Sequence, residues 1–203
     1  MWLWSWRSIL RLWSNMRSAP EERSSEIVKR LPAGPCSMVE VGTWRGIMAE
    51  MVLMKHREVT LITVDNWAGA ETQPAAYRAT GDFHAKLTLA QQAQFKTETE
   101  RKLKRFGARA VILAMDSVEA AEEVADGSMD GVFIDADHSQ AGVERDIATW
   151  KWKVRPGGWL GFHDYRHPEP RFKFGVTEAV DAFAVRVGKE VQQGANLTAF
   201  VYL

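Results

Sequence analysis

Two carboxylates and an imidazole crowd the stretch FIDADHSQ, residues 133–140, where Asp135, Asp137 and His138 follow a short apolar run. An imidazole titrates near neutrality, so His138 is a natural candidate for moving a proton, with Asp135 three residues away as its companion. A second pair, His163 and Asp164, closes the apolar run GGWLGF. The plainer alternative is a polar strand-to-helix turn, with Asp137 capping the helix that follows and His138 facing water. Choosing between them requires the elements that carry these residues.

From Ser37 onward short β-prone runs alternate with amphipathic stretches. SMVEVG, LITVD, VILAM, GVFIDAD and GGWLGFHD read as five strands. TWRGIMAEMVLMKH, QQAQFKTETERKLKRF, QAGVERDIATWKW and a segment near 176–187 read as helices. The tail EVQQGANLTAFVYL, with Gly-Ala-Asn between two β-prone runs, predicts a terminal antiparallel hairpin. Apolar strands of four to six residues alternating with helices predict an α/β fold whose mostly parallel sheet is covered on both faces. In such sheets ligands bind at the carboxyl ends of the strands, near the switch in strand order. Every one of the five strands ends in an acid: Glu40, Asp65, Asp116, Asp135 and, beside His163, Asp164. One acid is explained by turn chemistry, whereas five at one edge predict a shared polar site.

Composition narrows the classes of partner. Lys plus Arg number 26 and Asp plus Glu number 26, so bulk charge gives no sign of a nucleic-acid partner. The single cysteine, Cys36, excludes an intramolecular disulfide and a Cys-rich zinc site. No apolar run reaches the roughly 18 residues of a membrane span, and no signal-peptide pattern is present, so a cytoplasmic location is expected. The opening MWLWSWRSILRLWSNMR is unusual, with Trp2, Trp6, Ile9, Leu10 and Trp13 on one helical face and Arg7 and Arg11 on the other. It is expected to pack on its own domain, to form a homodimer contact or to touch a membrane peripherally. Pro20 suits the first turn of a second helix running to about Arg30. The expected division is therefore an amphipathic helical extension over 1–30 and one domain over 31–203.

VEVGTWRG places Gly42 and Gly46 in a strand-to-helix turn, without the spacing of a dinucleotide fingerprint or a phosphate loop. Asp65, some 20 residues on, suits a ribose-bearing ligand, because a carboxylate accepts from both ribose hydroxyls. Trp44, between the glycines, is either a core residue of the next helix or a ligand contact. Together VEVGTWRG, LITVDNW, LAMDSVEAA, FIDADHS and VRPGGWLGFHDY resemble the class I S-adenosylmethionine-dependent methyltransferases, in particular their small-molecule O-methyltransferase branch. The resemblance runs from about Ser37 to Leu203. It implies a Rossmann-like, doubly wound seven-stranded sheet with a C-terminal antiparallel hairpin.

The same resemblance implies roles at the matching positions. Glu40 would hold the amino group of the methionine portion, Gly42 would let the backbone lie against the cofactor, and Asp65 would bind the ribose with Asn66 and Trp67 beside it. Asp116 and Ser117 would sit at the adenine. In metal-dependent relatives the positions of Asp135, His163 and Asp164 bind a divalent cation, magnesium or manganese. An imidazole at 163 tilts the site away from magnesium or marks it as metal-free. His138 and Asp135 are the expected catalytic pair, and the hydroxyl of a small molecule is the expected methyl acceptor. Other readings are a metal-dependent hydrolase or hydroxylase built on Asp135, His138, His163 and Asp164, and a non-catalytic cofactor-binding module. The connection 66–89, with Trp67, Tyr77, Phe83 and His84, and the loop 165–174 are candidates for acceptor contacts, although Arg166, Arg171 and Lys173 read first as a solvated loop. His167 reads as a surface residue, and His56 and His84 carry no assignment.

Overall fold

Seven strands form one sheet in the order β3-β2-β1-β4-β5-β7-β6 in the computed structural model, which describes residues 19–203. The strands are β1 (Cys36–Val41), β2 (Val59–Val64), β3 (Ala110–Leu113), β4 (Met129–Ile134), β5 (Val154–Phe162), β6 (Gln192–Gln193) and β7 (Ala199–Tyr202). The β1, β2, β3, β4 and β5 pairings are parallel, while β5 with β7 and β6 with β7 are antiparallel. This is the expected Rossmann-like sheet with its terminal hairpin. The Trp-rich segment expected to form a helix over 1–17 lies outside the described residues.

Alternate residues along the central strands enter two separate cores, because side chains of a strand point to opposite faces in turn. Val39, Val41, Val132, Ile134, Leu160 and Phe162 join one core, under α5 (Ser117–Glu122), α6 (Gln140–Trp150) and α7 (Val176–Val187). Met38, Leu61, Phe133, Trp159 and Phe200 join the other, under α2 (Ile47–Lys55), α4 (Leu89–Leu103) and α1, a helix described over 19–28. Burial on both faces is why these strands read as continuous apolar runs. Ile27 and Leu31 belong to that second core. Trp159 Nε1 donates to Arg30 O at 3.1 Å, and the Arg30 guanidinium lies 3.9 Å from the Phe200 ring centre.

Two elements differ from expectation. Helix α2 starts at Ile47 rather than Thr43, because Trp44 (φ 48) and Gly46 (φ 67) hold left-handed conformations that a right-handed helix cannot include. The long connection 66–89 contains a short helix, α3 (Ala75–Ala79), and a single 3-10 turn at His84–Lys86. Among the described residues, no helix is long and apolar enough to cross a membrane.

Candidate active site

Sheet register brings the predicted residues to one edge. Just beyond the strands, Asp65 N donates to Leu113 O, Gly42 N to Val64 O, Asp135 N to Val41 O and His163 N to Ile134 O, at 2.8–3.2 Å. The ladder thus runs one step further, and Asp65, Gly42, Asp135 and His163 lie in a row across β2, β1, β4 and β5. This row borders the point between β1 and β4 where the strand order reverses. A cavity of about 560 Å³ opens over it, within the range of small-molecule sites.

Glu40, Gly42, Thr43, Trp44, Asp65, Asn66, Asp116 and Ser117 line one half of the cavity. Glu40 is only 2% exposed and its Oε2 has no hydrogen-bond partner among the described residues. Burial, reinforced by the charge of Asp135, pushes its carboxyl well above the usual range. Asp65 accepts from Trp44 N at 2.7 Å on one oxygen and from Trp67 N at 2.8 Å on the other, which leaves further acceptor capacity on each. Burial raises its carboxyl above the usual range despite those two bonds. The left-handed Trp44 and Trp67 (φ 44) are held by a lock in which Trp67 Nε1 donates to Trp44 O at 2.8 Å. Trp67 is therefore a buried brace of the loop and is not among the cavity-lining residues. Asp116 caps α5 by accepting from Val118 N, and Ser117 Oγ accepts from Trp150 Nε1 at 2.8 Å, so that hydroxyl is committed to the core. Gly42 has φ +92, and the space a Cβ would need is filled by the Asp135 backbone oxygen at 2.0 Å. Its lack of a side chain serves the crossing of β1 and β4 directly.

The other half of the cavity carries Asp135, Asp137, His138, His163, Asp164 and His167, with Tyr77, Asp82, Phe172 and Phe174 around them. Neighbours such as His163 and Asp164 would point to opposite faces of an extended strand. The left-handed Asp164 (φ 58) breaks that alternation, and both side chains reach one cluster. Asp135 Oδ1 lies 3.2 Å from both His138 Nε2 and His163 Nδ1, and Asp164 Oδ2 lies 3.4 Å from the same two atoms. All four ligand atoms fall within 4.8 Å of one another. Donors bound to one cation at about 2.1 Å are separated by roughly 3.0 Å at right angles and roughly 3.4 Å at tetrahedral angles. The cluster therefore fits a divalent cation in both spacing and donor type, and two imidazoles favour manganese or another transition metal over magnesium.

Without a cation, protons take over the same geometry. Burial disfavours the charged ring of His138, yet hydrogen bonds to Asp135 and Asp82 prevail and raise its pKa to about 10. Burial works against ionised Asp135 too, but His163, His138 and Arg23 hold it well below the usual carboxylate range. Both His138 nitrogens are engaged, so a base role requires Nε2 to give up its proton first. Linkage sets the sign of the pH effect. A raised histidine contributes stability that is complete below its unfolded pKa of about 6.5 and is lost as pH rises toward the folded value. In chelator-treated protein, the melting-temperature advantage of wild type over His138→Asn is expected to shrink between pH 6.5 and about pH 10. A constant advantage across that range would remove the ion pairs assigned to His138.

Several residues differ from their sequence reading. Ser139, not Asp137, is the N-cap of α6, its Oγ accepting from Gly142 N at 3.1 Å, while Asp137 accepts from Ser139 N in the preceding turn. His167 lines the cavity with Nε2 3.9 Å from Asp164, rather than lying on the surface, whereas Arg166, Arg171 and Lys173 are exposed. Arg23 carried no sequence signal, yet α1 delivers its Nη1 to Asp135 Oδ2 at 2.9 Å. Asp82 was missed as well. Its proximity to His84 two residues on, behind a glycine, was the available clue.

A family model described as a methyltransferase domain matches residues 39–165. No curated protein matches the chain. Among solved structures, the O-methyltransferase NovP is 16% identical over 93% of this chain and 78% of its own, with a TM-score of 0.59. A Staphylococcus aureus protein provisionally named a caffeoyl-CoA O-methyltransferase is 12% identical over 98% and 91%, at 0.61. A SAM-dependent methyltransferase from Aquifex aeolicus is 12% identical over 88% and 87%, at 0.51. At these identities the likeness is one of fold.

Proposed function

The chain belongs to the methyltransferase family whose model spans residues 39–165, and on that premise we propose that it methylates a hydroxyl oxygen of a small molecule with the help of a divalent cation. The observation that carries this reading is one cavity with two unlike halves. Glu40 and Asp65 offer acceptors for the amino group and ribose of S-adenosylmethionine on one side. Asp135, His138, His163 and Asp164 form a cation-sized cluster on the other. A hydrolase built on that cluster alone would leave Glu40 and Asp65 without work.

S-adenosylmethionine, when bound, supplies an electrophilic methyl group on a sulfonium. A cation in the cluster would acidify the acceptor hydroxyl and fix its oxygen. The chain's own contribution is placement. Glu40 and Asp65 fix the two ends of the cofactor, so that the acceptor oxygen and methyl meet in line. Asp135 and Asp164 provide the negative charge that holds a cation, His138 and His163 complete the set, and Asp116 borders the adenine end. The acceptor's proton passes to Asp164 Oδ1, the oxygen not facing the two imidazoles, with His167 beyond it at 3.9 Å. Phe172 and Phe174, stacked 4.9 Å apart, wall the acceptor side and exclude water.

Calorimetry with S-adenosylhomocysteine, on chelator-treated protein and with manganese, tests the cofactor half. Binding in both conditions is expected, and no binding in either would end the methyl-transfer reading. Transfer of labelled methyl from S-adenosylmethionine to a panel of phenols, catechols and sugar hydroxyls tests the rest. Turnover is expected with manganese and at least 10-fold less after chelation. Turnover indifferent to chelation would remove the cation.

A further inference from the structure

The carboxylate of Asp82 joins the two halves of the cavity. It is 3% exposed. Oδ1 accepts from the backbone N–H of His84 at 2.9 Å and faces His84 Nδ1 at 2.9 Å. Oδ2 accepts from the Tyr77 hydroxyl at 3.1 Å and faces His138 Nδ1 at 2.8 Å. An ionised carboxylate has about four acceptor positions and no proton to give, so each Nδ1 facing it must carry the hydrogen. Four donors converge on the carboxylate, two on each oxygen, an arrangement that fills the acceptor positions of its ionised form. We propose that Asp82 is a positioning residue that fixes the tautomers of two imidazoles at once, turning Nε2 of His138 to the acceptor cluster and Nε2 of His84 to the cofactor side.

The orientation that results is specific. His138 Nε2 is left facing Asp135 and Asp164, the geometry in which a carboxylate behind an imidazole prepares the other nitrogen as a ligand. His84 Nε2 is enclosed without a partner among the described residues, its ring edge-on to Trp44 at 4.6 Å between centres, and Trp44 N in turn holds Asp65. One buried carboxylate thus couples the residue row expected at the ribose to the cluster expected at the acceptor.

Asp82 is itself fixed by a crossing of two loops. Asp82 N donates to Thr80 Oγ1 at 3.2 Å, and Thr80 O accepts from Lys173 N at 2.7 Å. Between them Gly81 has φ +86, and a Cβ there would lie 3.0 Å from Arg171 O. Gly175 N donates to His138 O at 2.9 Å. The connection 66–89, the loop after β5 and the turn carrying His138 therefore form one interlocked unit. Seating of 66–89 over the cofactor half also seats His138 in the acceptor half.

This inference rests on the proposed function only for the meaning of the two sides; the tautomers themselves are testable without it. The test is nitrogen-15 NMR of the histidine rings in full-length, metal-free protein. His84 is expected to carry a slowly exchanging Nδ1 proton, and His138, protonated on both nitrogens without a cation, to show its Nδ1 proton held in a hydrogen bond; neutral His84 with its proton on Nε2 would overturn the proposal. In Asp82→Asn the amide offers one acceptor and one donor in place of two acceptors. At least one Nδ1 proton signal is expected to disappear, with manganese affinity by calorimetry falling about 10- to 100-fold. Asp82→Glu, which keeps both acceptors, is expected to recover part of that affinity. Unchanged ring signals together with unchanged manganese affinity in Asp82→Asn would overturn the positioning role. Absence of S-adenosylhomocysteine binding to wild type would instead fall on the methyl-transfer reading.

Discussion

Asp135→Asn is expected to lower turnover on the order of 10³-fold while leaving S-adenosylhomocysteine affinity within a few-fold of wild type. The side chain keeps its shape and loses its charge. His138, His163 and Arg23 all face Asp135, at 3.2, 3.2 and 2.9 Å. Without that charge the three cationic groups repel one another, and a divalent cation loses one of its two carboxylates. Manganese affinity is expected to fall in parallel, by about 10- to 100-fold or more. The cofactor half keeps its frame, because Asp65 is held by Trp44 N and Trp67 N, and loss of the Asp135 charge only eases ionisation of Glu40. Methyl-transfer assays with an acceptor turned over by wild type, alongside calorimetry, measure both effects. Turnover within three-fold of wild type in a folded variant would show that the cluster is not the chemical centre.

Gly42→Ala carries the largest expected structural penalty. Two costs combine at that position. At φ +92 an alanine pays roughly 1–3 kcal/mol of backbone strain. Its Cβ would also meet the Asp135 carbonyl oxygen at 2.0 Å, the carbonyl carbon at 2.5 Å and Ala136 Cα at 2.8 Å, all backbone of the adjacent strand end. Backbone cannot swing aside as a side chain can, so β1 and β4 must part where both site halves begin. A loss of about 3 kcal/mol or more is expected, roughly 10 °C in Tm for a domain of this size. Cofactor affinity should fall with it. Gly188→Ala is the control: Gly188 caps α7 at φ +65 with nothing within 4 Å, so it bears the strain alone. Equal melting temperatures for the two variants would show that the β1–β4 crossing is not tight.

The legible part of this protein is the part governed by period. Short continuous apolar runs within SMVEVG, GVFIDAD and GGWLGF give strands with both faces buried, and the register then carries Asp65, Gly42, Asp135 and His163 to one edge. Chain order and turn chemistry suffice for that. Helix α7 and the terminal hairpin are equally local, one a run of apolar residues at helical spacing, the other two β-prone runs about a Gly-Ala-Asn turn.

What local pattern cannot encode is which partner completes each polar group. Asp82 reaches His138 across 56 positions, and Arg23 reaches Asp135 across 112. Neither pair leaves a spacing in the chain, since a solvent-facing Asp in a loop and an Arg on a short helix look the same in sequence as these two. The N-cap of α6 went to Ser139 because Asp137 was taken by the turn before it, and His167 entered the cavity because the loop after β5 folds back over Asp164. By itself the sequence determined the sheet, the edge and the chemical types gathered there. Only the tertiary structure decided which imidazole nitrogen faces which carboxylate, because that depends on side chains brought together from distant loops after the strands have paired.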